Sequence, residues 1–119
     1  MNQDILTDII AHKRKELVTQ EAAVSMSLLE SHIGDITAKY SMKQSLLSSS
    51  TGIIAEFKRR SPSKGWINQE ADVSVIPHNY EQAGAAALSI LTDEMFFGGS
   101  LKDIRIARPT VNLPILRKD

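Results

Sequence analysis

Apolar and polar positions along the chain follow two different rhythms. From Asp4 to about Val24, Ile5, Ile9, Ile10 and Leu17 recur at helical spacing around the run His12-Lys13-Arg14-Lys15-Glu16. This predicts a surface helix with one narrow buried stripe. Ser27-Leu28-Leu29-Glu30 has the spacing of a capping box and Gly34 can stop a helix, so a short helix is expected from Leu28 to Ile33. Ser41-Met42-Lys43-Gln44 repeats the capping pattern ahead of Leu46 and Leu47. The polar run Ser48-Ser49-Ser50-Thr51-Gly52 reads as a loop that closes this helical leader, so the expected division is 1–51 and 52–119.

Past that loop, apolar runs of strand length alternate with helical patterns. Gly52–Lys58, Ala85–Leu91 and Leu113–Arg117 are the expected strands. Arg59–Gly65 and Thr92–Gly99 are the expected loops, by their Pro, Gly and Ser content. One helix is expected to start near Ser74 as N-cap, with Pro77 in its first turn and Gly84 at its end; a second spans Leu101–Arg108. Strands joined through single helices imply a parallel sheet with right-handed crossovers. The fold class is therefore α/β: a helical extension followed by β-α-β-α-β, a partial (β/α)8 barrel. A whole barrel needs roughly 250 residues. The 119 residues are thus expected to be the first three strands and two helices of one.

Charge and composition narrow the function. Fourteen Lys and Arg balance fourteen Asp and Glu, so no bulk field favours nucleic acid or an anionic membrane. The basic run on the first helix reads as a solvated face with acids nearby. With no cysteine, disulfides and thiolate metal sites are excluded. His12, His32 and His78 lack metal-ligand spacing, so no metal is expected. The opening Met1-Asn2-Gln3-Asp4-Ile5 is acidic before it is apolar, and no stretch approaches the roughly 20 apolar residues of a membrane span. A soluble, cytoplasmic protein is expected.

In a parallel β/α architecture functional side chains project from the C-terminal strand ends. Glu56 and Lys58, two apart, share a strand face that becomes the interior of a barrel, as an ion pair or a ligand site. Lys118 ends the last apolar strand, where a lysine can act as a general acid or merely decorate the surface. Ser61-Pro62-Ser63-Lys64-Gly65 offers hydroxyls, an ammonium and close backbone approach to an anion, without Walker-A spacing. Phe97-Gly98-Gly99-Ser100 feeds a helix N-terminus, and Ser100 with Asp103 forms a capping-box-like pair. Phe96 and Phe97 beside two glycines place a ring either in a pocket wall or over the barrel top.

Four blocks together, Ile54–Gly65, Tyr80–Asp93, Phe96–Ser100 and Leu116–Asp119, resemble the indole-3-glycerol phosphate synthase family in order and spacing, and the run Ile9–Glu16 resembles its leader. The resemblance implies ring closure of 1-(2-carboxyphenylamino)-1-deoxyribulose 5-phosphate with loss of carbon dioxide and water, a carboxy-lyase step of tryptophan biosynthesis using no metal and no organic cofactor. It implies that Lys118 is the general acid, Lys58 the second essential lysine and Glu56 its acidic partner. Ser61 and Pro62 then flank the anthranilate moiety and Phe97 packs on it. The family's later-strand glutamate, asparagine and phosphate loops have no counterpart in these residues, so the chain alone is expected to be inactive. The alternative is a non-catalytic module that pairs with the rest of a barrel or with itself. Another phosphate-binding barrel enzyme of the same pathway is disfavoured by the helical leader and the Glu56-Phe57-Lys58 block. Pro77 and Pro109 depart from the family's usual helix formers, so shorter helices are expected there.

Overall fold

The computed structural model describes residues 4–119; the start of the acidic opening, Met1-Asn2-Gln3, lies outside them. The chain falls into two compact units, one reaching to Ala38 and one from Lys39 to Asp119.

The leading unit holds α1 (Ile5–Ala23) and α2 (Met26–Ser31). Asp4 caps α1 by accepting from the Leu6 amide, and Glu16 pairs with both His12 at 2.8 Å and Lys13 at 2.6 Å. The basic run is thus partly neutralised on its own helix face. The expected buried stripe is absent: no residue of α1 is buried, and Ile5, Ile10 and Leu17 are all more than 40 % exposed. Helix α2 begins two residues before its expected start. The cap is Ser25, which accepts from the Leu28 amide, rather than Ser27, and the helix ends at Ser31 with His32 as its C-cap, before reaching Gly34. A hydroxyl three residues ahead of a free N–H captures it wherever the chain first turns, and Ser25 reaches it first.

In the second unit, Ser41 caps α3 (Met42–Ser48) through the Gln44 amide, as its spacing predicts. The Ser45 hydroxyl then donates to the carbonyl of Ala86. Strands β1 (Ile54–Phe57), β4 (Ala87–Leu91) and β5 (Ile115–Lys118) form a parallel sheet in the order β1-β4-β5, with α4 (Ile76–Gln82) and α5 (Leu101–Ala107) as the intervening helices. This is the expected α/β arrangement of a partial (β/α)8 barrel. The register aligns Glu56 with Ser89 and Ser89 with Leu116. Phe57 and Ile90 point to the helix-covered side, packing with Ala71, Val73 and Ala107 and with the half-buried Ile76, Ile104 and Ile115. Each fully buried aliphatic or aromatic side chain there contributes roughly 1.5–3 kcal/mol. Glu56 and Ser89 occupy the opposite side.

Two expectations fail locally. Arg59–Gly65 is not a plain loop: β2 (Arg60–Ser61) and β3 (Gly65–Trp66) make a small antiparallel hairpin, with Arg60 opposite Trp66 and Ser61 opposite Gly65. Two-residue strands lie below the length at which alternation can be read. Ser74 does not cap α4; its amide and hydroxyl both donate to Asp72 Oδ1, and Asp72 supplies the carbonyl for the Ile76 amide. Pro77 does sit in the first turn, and Gly84, at φ 101°, follows the end of α4. Helix α5 stops at Ala107 and continues as a 3-10 turn, Arg108–Thr110, around Pro109. That is the shortening expected of a residue with no N–H to donate.

Candidate functional site

The C-terminal ends of β1, β4 and β5 bring three charged groups together. Glu56 lies within β1, Lys58 one residue past its end, and Lys118 on the last residue of β5, opposite Leu91. Lys58 Nζ is 3.5 Å from Glu56 Oε1, and Lys118 Nζ is 3.8 Å from Glu56 Oε2. Ser89, on the central strand, donates its hydroxyl to Glu56 Oε2 at 3.0 Å. One carboxylate therefore stands between two ammonium groups on a half-exposed surface, with about a third of the Glu56 and Lys58 side chains and almost half of Lys118 open to solvent.

Strand order explains the convergence. Residues two apart on a strand share a face, and the register puts Glu56, Ser89 and Leu116 in one row and Leu91 and Lys118 in the next. The main chain at the site is fixed by the Thr92 amide, which donates to the Lys118 carbonyl at 2.7 Å, and by the Thr92 hydroxyl, which donates to Asp119 Oδ1 at 2.6 Å. Lys118 is thereby tied to the start of the loop that follows β4.

That loop carries Phe97, whose ring centroid lies 5.8 Å from Lys118 Nζ, within cation–π range. Its backbone depends on two glycines. Gly98 has φ 60°, and a Cβ there would come within 3.0 Å of the Trp66 ring. At Gly99 a Cβ would stand 2.1 Å from the Leu91 carbonyl oxygen, so only glycine fits. Buried Asp93 accepts from the Phe96 amide at 2.8 Å and its carbonyl accepts from the Gly99 amide, closing the loop on itself.

Ser61 and Pro62 lie in the hairpin, Ser61 on β2 and Pro62 in its turn. The Ser61 hydroxyl is buried and accepts from the Lys64 amide at 3.2 Å, while Pro62 is exposed at the turn. The hairpin reaches the Phe97 loop in a different way: Arg60 donates to the Met95 carbonyl and stacks on Trp66, which in turn covers Gly98. Sequence reasoning missed this Trp66 contact because no local pattern announces it. Ser89 left a signal, a single hydroxyl in the apolar run Ala85–Leu91, two strand positions before a strand end.

Ser100 and Asp103 have the spacing of a capping pair, and the Asp103 amide does donate to the Ser100 carbonyl, but the Asp103 carboxylate turns elsewhere. Ser100 caps α5 through the Lys102 amide. Asp103, 7 % exposed, takes a bidentate fork from Arg59 at 2.7 and 3.1 Å, and Arg59 Nε also donates to the Ala71 carbonyl. This clamp holds the segment leaving β1 against α5, directly behind Lys58. Among the described residues no cluster of three or more His, Asp or Glu side chains is arranged to hold a metal ion, and no helix is long and apolar enough to cross a membrane.

Comparison with known proteins gives one family. Residues 6–119 match the family described as indole-3-glycerol phosphate synthase. Proteins of that name from Bacteroides thetaiotaomicron, Nocardioides sp. and Neisseria meningitidis serogroup B are 62 %, 40 % and 42 % identical over 117, 115 and 124 aligned residues. These alignments cover 98 %, 97 % and 98 % of this chain but 45 %, 44 % and 46 % of the relatives. The chain thus spans somewhat less than half the length of the curated relatives it matches.

Proposed function

Since the chain belongs to the indole-3-glycerol phosphate synthase family, a family of TIM barrels, we propose that it supplies the lysine–glutamate part of a synthase site. The observation that carries this reading is the single Glu56 carboxylate reached by both Lys58 and Lys118 at the strand ends. The substrate is 1-(2-carboxyphenylamino)-1-deoxyribulose 5-phosphate. Lys118 protonates its carbonyl as the anthranilate ring carbon attacks. An ammonium already in place where negative charge develops on oxygen lowers the barrier without solvent reorganisation. Lys58 contacts substrate charge and serves the later dehydration, with Glu56 as its acidic partner. Phe97 packs on the anthranilate ring, with Ser61 and Pro62 on the neighbouring hairpin. The reaction calls for no metal and no organic cofactor.

The remaining groups of the reaction come from the part of the relatives that these 119 residues do not cover. The chain alone is therefore expected to give no turnover. Supplied together with the remaining half of a relative's barrel, it is expected to form indole-3-glycerol phosphate, followed by the fluorescence of the indole product. In that assay Lys118→Ala lowers turnover by about 10²–10⁴-fold, the usual worth of a positioned general acid. A near-normal rate removes Lys118 from the mechanism.

A second reading, an assembly role without catalysis, rests on the sheet. Among the described residues β1 and β5 each have a strand partner on one side only. Open parallel edges pair with further strands, from the rest of a barrel or from a second copy. Sedimentation of the chain alone distinguishes a monomer from such pairing.

A further inference from the structure

Ser89 sits in the middle of the sheet, 4 % exposed, on a strand whose five residues are all buried. Its register partner on β1 is Glu56, and its hydroxyl donates to Glu56 Oε2, the oxygen that faces Lys118, while Oε1 faces Lys58. Glu56 ends in a soft, two-fold torsion, and both lysines reach it on flexible four-carbon stems. None of those three groups can fix the others. Ser89 can, because it has one side-chain torsion and is held by a fully buried strand.

We infer that Ser89 is a positioning residue: its hydroxyl sets the rotation of the Glu56 carboxylate so that each oxygen serves one lysine. Without it the carboxylate turns freely, and the two ammonium groups compete for one oxygen or separate from it. In the synthase reading, on which its catalytic meaning rests, this keeps the proton-donating lysine distinct from the substrate-contacting one. The alternative is that the bond only satisfies a buried hydroxyl.

The test uses the 119-residue chain with ¹⁵N-labelled lysine, comparing Ser89 with Ser89→Ala and with Ser89→Thr, which keeps the hydroxyl. The Lys58 and Lys118 Nζ resonances, assigned by Lys→Arg substitution, are expected to move toward those of exposed lysines in Ser89→Ala and to hold in Ser89→Thr. Unchanged resonances in Ser89→Ala overturn the inference, and so does an equal shift in both variants, which would trace to packing rather than to the hydroxyl. In the complemented barrel, Ser89→Ala is expected to lower kcat about tenfold with KM within about twofold, the scale of one hydrogen bond to a charged group, and Ser89→Thr to restore it. A complemented barrel with Ser89 intact that forms no product overturns the synthase reading, and the lysine resonances still decide the role of Ser89.

Discussion

Helix α1 runs for 19 residues and buries none of them, whereas β4 runs for five and buries all five. The helix satisfies its backbone internally and is held by an Asp4 cap and the Glu16 pairs, each worth a few tenths to about 1 kcal/mol. The strand can satisfy nothing internally. It borrows hydrogen bonds from β1 and β5 and packing from the helices around it. Element length is thus a poor guide to where stability resides, and the short strand is also the element that carries Ser89 to Glu56.

The largest expected contrast comes from truncating one apolar side chain in each. Leu88→Ala, at a fully buried position, should cost about 2–5 kcal/mol, while Leu17→Ala, 44 % exposed, should stay within about 0.5 kcal/mol. Urea unfolding checks both, and equal costs would erase the distinction between the two elements. Next in size, Asp103→Ala should cost about 3 kcal/mol, because it leaves the Arg59 guanidinium, 18 % exposed, without its carboxylate. Asp103→Asn should recover part of that loss, and a neutral Asp103→Ala would show that the clamp adds nothing to the core.

Ser25→Ala sharpens the comparison from the other side. Loss of this cap should cost α2 about 1 kcal/mol and speed amide exchange at Leu28, with little effect on exchange at Leu88. Equal effects at both amides would mean that the leading unit and the sheet unfold as one. The smallest effect concerns Asp72, whose carboxyl is held below its usual range by the Ser74 hydroxyl and then by the Ser74 amide. A folded-state value below the unfolded one gives a contribution present above about pH 3.9 and lost as pH falls through the lowered value. Ser74→Ala should therefore lower stability slightly near neutral pH and flatten its acid limb. Parallel acid limbs in the two proteins would remove the effect.

The order of elements was legible in the sequence because each depends on a local signal: helical spacing from Ile5 to Leu17, Ser41 as a cap, Gly84 as a stop, Pro77 in a first turn, apolar runs at Gly52–Lys58 and Ala85–Leu91. The fold class followed from that order. What was not legible depends on partners far away in the chain. Ser100 and Asp103 have the spacing of a cap pair, but the Asp103 carboxylate faces Arg59, 44 residues earlier, and a bidentate fork from a cation outweighs a single bond from a neutral backbone amide. Ser25 and Ser27 can each cap an amide three residues on, Leu28 or Glu30, and spacing alone does not rank them. The strands of the hairpin at Arg60–Trp66 are too short for alternation to be read, and its contact with Gly98 lies more than 30 residues away in the chain. In the candidate site, Glu56 and Lys58 could be placed on one face by parity, and Lys118 at a strand end. Their meeting at one carboxylate depends on the register of three strands.

The cluster around Glu56 has a stoichiometry of one anion to two cations. After internal cancellation about one unit of positive charge is left at the mouth of the sheet, on a chain whose formal net charge is zero, so the remaining residues sum to one unit of negative charge. An approaching polyanion meets a local attraction that the molecule as a whole does not advertise. Its range is about 8–10 Å at ordinary ionic strength. Capture of such a ligand should accordingly slow as salt is added, through the encounter rate more than through the lifetime of the complex.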